Sequence, residues 1–563
     1  MILKYLFRDK AAAIALLFIY VLSALMVTGL ALVYGNLVNV VANGANIPEL
    51  LKASLYSLAY TVIVGVLFWL KHYYGNVFFA RFYSALQNEY FKKIINSNYG
   101  NISQEDSSKY FTAITNDVAR MRANGWMLYD LAEKSVAVVS SFIAAVILNW
   151  EIGLIMLALT AIMGILPLII KKRLDKQTLL CSDVEKIYSR SLKENLQGAA
   201  IIKSFSAEGR ALKEVSAANN KLLVENKKKS AIDAFAGGAG VIVQNISILA
   251  LVGLTCYFVI MKKVEIGAVL SIVQIGMGFY GGMLGFASTI TYYMGSAGVR
   301  KRVFGVLNKA DDNIPAKEIS FSAGIALKNV SFSYPDKERA ALDKVNLELE
   351  CGKKYLILGK SGSGKSTVLK LMAKFYDVSG GEILIDGKSY SDLRERDIAK
   401  IVSVALQSCY LFNRSFRENI DYLGENDEEK LERVIEFCAL KDFVATLPQG
   451  FDTVVDEEVN QVSGGEKLRI NLARALYRES KILLLDEVTS ALDKNTANIV
   501  ETNLLSLEGK TVVNVCHKFN DSTLPLYDKI FIIEDGNIVE SGSYGEIGES
   551  PVLYRYRSQE GIN

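Results

Sequence analysis

Histidine is nearly absent from this chain, its cysteines follow no pairing pattern, and its charges almost cancel. Only His72 and His517 occur among 563 residues, too few imidazoles for a histidine-based metal centre. The six cysteines (Cys181, Cys256, Cys351, Cys409, Cys438 and Cys516) are scattered with no C-x-x-C pair. Neither a disulfide framework nor a zinc site fits that spacing, so they read as free thiols in a cytosolic or membrane-buried setting. A formal net charge of +3 gives no pointer to nucleic acid. No small-residue cleavage site interrupts the apolar run from Ala11 to about Gly35, so a removed signal peptide is not expected.

What is present divides in two. Apolar residues make up 51% of the chain and charged residues 22%, and the mean hydropathy is +0.22. That mixture suits a membrane half joined to a water-soluble half, and the length exceeds what one core accommodates. Six apolar stretches fall near 11–35, 54–70, 136–148, 152–170, 234–261 and 266–299. None contains Asp, Glu, Lys or Arg. Intramembrane charges commonly mark ion relays or partners for charged cargo, so their absence disfavours proton coupling at the midplane and favours an apolar, amphipathic or neutral cargo. The last stretch, as one helix of about 34 residues, spans roughly 50 Å and would project beyond the bilayer.

The connecting loops are unequal. Residues 71–133 and 171–233 are long and rich in Lys and Arg, whereas 36–53, 149–151 and 262–265 are short and carry few basic residues. The positive-inside rule therefore puts the N-terminus and both long loops in the cytosol. Apolar and charged residues alternate at helical spacing over 192–203, so these loops are expected to form helical stalks. Polarity rises after 305, and Pro315 closes a linker read at 306–324. The expected organisation is a six-helix transmembrane domain at 1–305, that linker, and an α/β P-loop ATPase domain at 325–563. A turn at Asp386-Gly387 follows the apolar strand Glu382–Ile385.

The chemistry is concentrated in the second half. Gly359-Lys360-Ser361-Gly362-Ser363-Gly364-Lys365-Ser366 matches the P-loop pattern, between an apolar strand at 355–358 and a helix opening at Thr367. Glycines there let backbone N–H groups converge on phosphates, and the helix N-terminus adds partial positive charge. About 120 residues on, the apolar run 482–485 ends in Asp486-Glu487. Such a strand delivers Asp486 to the edge where the P-loop sits, placed to hold Mg²⁺, with Glu487 placed to polarise an attacking water. The bland readings, a chance glycine turn and an acidic helix start, fit this order of motifs poorly. His517 alone would read as a structural histidine after a strand.

With these residues in view the chain resembles an ATP-binding cassette (ABC) exporter half-transporter. Val462-Ser463-Gly464-Gly465-Glu466 resembles the family signature, which normally begins with Leu and ends with Gln. The resemblance implies that Tyr334 stacks on adenine and that Gln407 is the Q-loop residue touching Mg²⁺. It also makes Asp493 part of the D-loop and His517 the switch histidine. Ser366, Gln407 and Asp486 become the Mg²⁺ set, and Ser463, Gly464, Gly465 and Glu466 face a partner subunit's ATP. The segment 455–461 lacks the glycines usual in the family's X-loop. The implied partners are a second copy or a related half-transporter, the lipid bilayer and a cargo, with ATP and Mg²⁺ as cofactors and no nucleic acid. The implied location is the inner or plasma membrane, multi-pass, with a cytosolic ATPase domain. Drugs, lipids and peptides are all handled by this architecture. An importer, for example of metal chelates, or an ATP-gated channel would share the same motifs. Polar Gln244, Asn245 and Gln274, with Tyr280, Tyr292, Tyr293, Met277 and Met294, either line a cargo cavity or serve helix packing and anchoring. Gly276, Gly278, Gly281, Gly282 and Gly285 allow close helix approach or bending.

Overall fold

Asp9 accepts a hydrogen bond from the Ala12 amide at 3.1 Å, capping the first long helix. The computed structural model describes residues 2–103, 107–308, 315, 317–335, 339–455, 462–517 and 519–558, without the side chains of 107, 108, 162–171, 557 and 558. Contacts divide the chain into Met1–Lys92 with Phe111–Asn308, and Lys93–Tyr110 with Lys309–Asn563. The greater part of the expected linker, 309–314 and 316, lies outside the described residues, as do 456–461 of the X-loop segment.

The first unit is helical. In chain order run α1 (Ile2–Leu6), α2 (Lys10–Ala42) and α3 (Ile47–Ile95), then the short α4 (Tyr99–Ser103) and α5 (Ser107–Thr112), which group largely with the second unit. There follow α6 (Val118–Leu148), α7 (Trp150–Gln197), α8 (Ala199–Ser204), α9 (Glu208–Ile260), α10 (Ala268–Gly295) and α11 (Ala297–Leu307). Among the described residues five helices are long and apolar enough to cross a membrane: α2, α3, Lys109–Leu148, α9 and α10. The stretch 152–170 lies on α7, where Trp150–Ala161 is apolar and the side chains beyond it are outside the described set. The long basic loops are helical extensions of α3, α6, α7 and α9, as their sequence pattern predicts.

One expectation is corrected. The apolar stretch 266–299 is not one long helix, because α10 ends at Gly295 and α11 begins at Ala297. The Ser296 hydroxyl donates to the Tyr293 carbonyl at 2.8 Å and also bonds Asn124, a local alternative to the helical ladder. The glycines of α10 serve close approach. A Cβ on Gly278, Gly282 or Gly285 would lie 2.7, 2.9 or 2.8 Å from Ser141, Val138 or Lys134 of α6. Charges flank the apolar stretches within two turns: Lys71 pairs with Glu133 at 2.7 Å, and Asp130 with Lys134 at 2.8 Å. His72 packs edge-on to Phe68 at 4.4 Å.

The second unit contains two main sheets. β1 (Gly324–Phe332), β2 (Leu342–Glu350), β4 (Gly380–Ile385) and β5 (Lys388–Ser389) form an antiparallel sheet in the order β2-β1-β4-β5. Asp386 (φ 46°) and Gly387 (φ 76°) make the two-residue turn between β4 and β5, the backbone a tight hairpin requires. β3 (Lys354–Leu358), β6 (Val402–Ala405), β9 (Ile482–Asp486), β10 (Thr511–Cys516), β11 (Lys529–Glu534) and β12 (Asn537–Gly542) form the other sheet, in the order β12-β11-β3-β10-β9-β6. A small ribbon pairs β7 (Arg414–Ser415) with β8 (Val454–Val455). All pairs among β11, β3, β10, β9 and β6 are parallel. Their unbroken apolar runs fit a sheet covered on both faces, and β3, β9 and β10 are buried at every residue.

Candidate nucleotide site

Five parallel strands end on one rim, and each hands over to a loop that carries chemistry. β3 ends at Leu358 before the P-loop, β9 at Asp486 before Glu487, and β10 at Cys516 before His517. β6 leads to Gln407, and β11 leads to Asp535-Gly536. The register pairs Cys516 with Leu358 and Val515 with Asp486, so the P-loop, His517 and Asp486-Glu487 emerge side by side. In parallel α/β sheets this carboxyl edge is where ligands bind.

The P-loop needs its glycines. Gly362 and Gly364 hold φ of 81° and 108°, and a Cβ on Gly364 would lie 2.7 Å from the Ala341 carbonyl. Gly536 braces the loop by donating its amide to the Ser363 carbonyl at 3.0 Å. Lys365 donates to the Gly359 and Lys360 carbonyls, both at 2.8 Å, and burial pushes its ammonium below the usual lysine range. The Ser363 hydroxyl is buried with no hydrogen-bond partner among the described residues. A cation that bonds its own loop's carbonyls and a hydroxyl left without a partner among the described residues fit a cradle for phosphate oxygens.

Asp486 is 3% exposed. Its Oδ1 accepts from the Ser366 hydroxyl at 2.9 Å, and burial raises its carboxyl above the usual aspartate range despite that bond. A buried carboxylate beside a hydroxyl is an oxygen donor set of the kind Mg²⁺ takes. Glu487 is held from two sides: Gln407 Nε2 donates to its Oε2 at 2.7 Å, and His517 Nδ1 lies 3.0 Å from its Oε1. Its φ of 54° is left-handed, which is rare without glycine.

A cavity of about 310 Å³ opens in front of these groups, lined by Tyr334, Ser361, Gly362, Gly364, Lys365, Ser366, Thr367, Gln407 and Glu487. Tyr334 joins it from the β1–β2 connection, with its hydroxyl 3.1 Å from Thr367 Oγ1. Gly359 and Ser363 are buried behind the lining and Lys360 is exposed. Sequence reasoning passed over Arg339 and Asp535, which pair at 2.8 Å on the lining, and Gly536. The Asp535-Gly536 dipeptide between two apolar strands was the signal available.

The signature residues and Asp493 do not line this cavity. Ser463 caps the helix Gly464–Tyr477, accepting from the Glu466 amide at 3.3 Å while Glu466 Oε2 accepts from the Ser463 amide at 2.8 Å. That reciprocal pair is a capping box. Val462 packs against the apolar cluster around Leu472 and Leu485. A Cβ on Gly465 would approach the Ala491 carbonyl to 3.0 Å, whereas Gly464 faces open space. Asp493 caps the helix Lys494–Leu505, accepting from the Asn495 and Thr496 amides at 3.1 and 3.0 Å.

Parallel strands that bring a phosphate cradle, a buried aspartate and a glutamate–histidine pair to one rim define a P-loop nucleotide-binding ATPase domain, here joined to a membrane helical unit. A family model described as the ABC transporter transmembrane region matches residues 13–283, and one described as ABC transporter matches 342–490. The chain belongs to the ABC transporter family, as a half-transporter of exporter type, and is a multi-pass membrane protein with a cytosolic ATPase domain. The ATP-dependent lipid A-core flippase of Photobacterium profundum is 25% identical over 450 residues, 79% of this chain and 77% of its own. The flippase of the same description from Pectobacterium atrosepticum is 26% identical over 447 residues, 78% and 76% of the two chains. A solved bacterial Atm1-family ABC exporter with ATP bound shares the fold, with a TM-score of 0.86 at 19% identity over 98% of this chain and 99% of that one.

Proposed function

We propose that the chain is one half of a dimeric exporter that hydrolyses ATP to move a lipid out of the cytosolic leaflet, with 1–305 as membrane domain and 325–563 as nucleotide-binding domain. The observation that carries the hydrolytic part is the clamp on Glu487 by Gln407 and His517 at the mouth of the P-loop cavity. In this reading Tyr334 stacks on the adenine while Lys365 and the amides of 359–367 take the phosphates. Glu487 accepts the proton of the attacking water as general base. His517 and Gln407 orient it. Ser366, Gln407 and Asp486 would hold Mg²⁺, which neutralises charge on the phosphates when bound. The open face at Gly464 and the exposed Ser463 are read as the surface that meets ATP held by the other subunit. Lipid as cargo rests on the names of the two flippases and on apolar stretches free of Asp, Glu, Lys and Arg.

The test is steady-state Mg-ATP hydrolysis by the purified chain in lipid, beside binding of a fluorescent ATP analogue. Glu487→Gln should lower turnover by about 10²–10⁴-fold, the usual contribution of a positioned base, and leave binding intact. Turnover near that of the unmodified chain would remove Glu487 from the role. ATP-dependent translocation of lipid A in proteoliposomes tests the cargo, and its absence beside active hydrolysis would overturn lipid A as substrate.

A further inference from the structure

Between Tyr334 on the lining of the nucleotide cavity and α4 stands one residue that touches both. Tyr376 follows the P-loop helix Lys365–Met372 by four residues. Its hydroxyl lies 2.6 Å from the Ser103 hydroxyl of α4. Its ring meets Tyr334 edge-on, with centroids 5.5 Å apart and planes at 83°, and meets Tyr99 of α4 at 6.1 Å and 85°. Phe332 closes the other side at 5.5 Å. Tyr334 is in turn tied to Thr367 at 3.1 Å, so four side chains run unbroken from α4 to the first turn of the P-loop helix.

The α4 end of this chain is anchored. The Tyr99 amide donates to Glu395 Oε2 at 2.9 Å, its ring lies 4.5 Å from that of Phe375, and Asn96 accepts from Arg396. Gly100 admits the contact, since a Cβ there would lie 2.9 Å from the Phe375 carbonyl and 3.1 Å from the Tyr376 ring. Aromatic pairs in edge-to-face geometry stabilise one another beyond simple burial, so a shift of the Tyr334 ring is felt by Tyr376. The Tyr376 hydroxyl then carries that shift to Ser103.

We infer that Tyr376 is a positioning residue: it sets the ring of Tyr334 for the nucleotide base and passes occupancy of that site to residues 99–103 through the Ser103 hydroxyl. The inference rests on reading Tyr334 as the base-stacking residue. Two arms test it on the full chain in lipid.

In the first, hydrogen exchange is followed with and without ATP in the absence of Mg²⁺. ATP should protect 359–367 and slow exchange at 99–103 in the unmodified chain. In Tyr376→Phe and Ser103→Ala, protection of 359–367 should persist and the response at 99–103 should fall to less than half. In the second arm, Tyr376→Ala should raise the KM for ATP about five-fold, the size of a lost aromatic pair, with kcat within about two-fold. Tyr376→Phe should restore the KM, because the ring remains, and Ser103→Ala should leave basal hydrolysis unchanged.

A protected P-loop with an undiminished response at 99–103 in both Tyr376→Phe and Ser103→Ala overturns the proposal. So does a protected P-loop with no response at 99–103 in the unmodified chain. Failure of ATP to protect 359–367 would instead overturn the nucleotide-site reading, and an unchanged KM in Tyr334→Ala would overturn the base-stacking reading beneath the proposal.

Discussion

Glu487 occupies a left-handed backbone conformation because its amide is fixed to the Val515 carbonyl at 2.9 Å and its carbonyl accepts from the Ser490 amide at 3.1 Å. Holding a side chain there costs about 1–2 kcal/mol relative to glycine. Glu487→Gly should therefore unfold at higher temperature than Glu487→Ala by the equivalent of about 1 kcal/mol, although neither retains a carboxylate. Thermal melts of the two variants in one detergent decide it; equal midpoints would mean that the surrounding structure relaxes. At this scale the motif letters were legible and their local duties less so. Ser463-x-x-Glu466 is a capping-box pattern as much as a departure from the family signature, and Glu466 closes that box. Asp493 spends its carboxylate on a helix cap, a duty that its place in the D-loop does not announce.

At the scale of elements, glycine has opposite meanings in two places of the helical unit. A Cβ on Gly267 would lie 2.0 Å from the Gly35 carbonyl and 2.5 Å from Asn39 Oδ1, where α2 meets the start of α10. One on Gly237, inside α9, would meet nothing within 4 Å. Gly267→Ala should destabilise the chain by about 1–3 kcal/mol through overpacking, and Gly237→Ala should stabilise it by about 0.5–1 kcal/mol through helix propensity. The shift in unfolding temperature of each variant checks both signs. Hydropathy marked where the apolar stretches lie because burial in lipid acts on composition. It did not mark the break at Ser296, which arises from a hydroxyl competing with the helical ladder. Nor did it show the pairing of Lys71 with Glu133 and of Asp130 with Lys134, since side-chain partners across helices have no signature in one helix's periodicity.

For the molecule as a whole, the proposed composite sites make a demand on two copies. Lys365→Ala removes a phosphate ligand from one side of a site, and Ser463→Ala removes a contact supplied from the other. Each variant alone should hydrolyse ATP at a small fraction of the normal rate. Mixed before reconstitution, half of the resulting pairs carry both defects in one site and leave the second intact, so activity should rise to about a quarter of normal if sites act independently. No rise above either variant would count against sites shared between subunits. The two-part organisation was readable from composition alone, whereas the grouping of 93–110 with the second unit was not, because Gly100 and Tyr99 acquire meaning only beside Phe375 and Tyr376. The five strands that share a rim carry a last consequence. Chain traffic, as at the turns around Gly352 and Gly509, returns on the opposite side, where a Cβ at either glycine meets open space. Connections there can lengthen, shorten or host a grafted domain over evolutionary time while the chemistry on the far rim stays in tune.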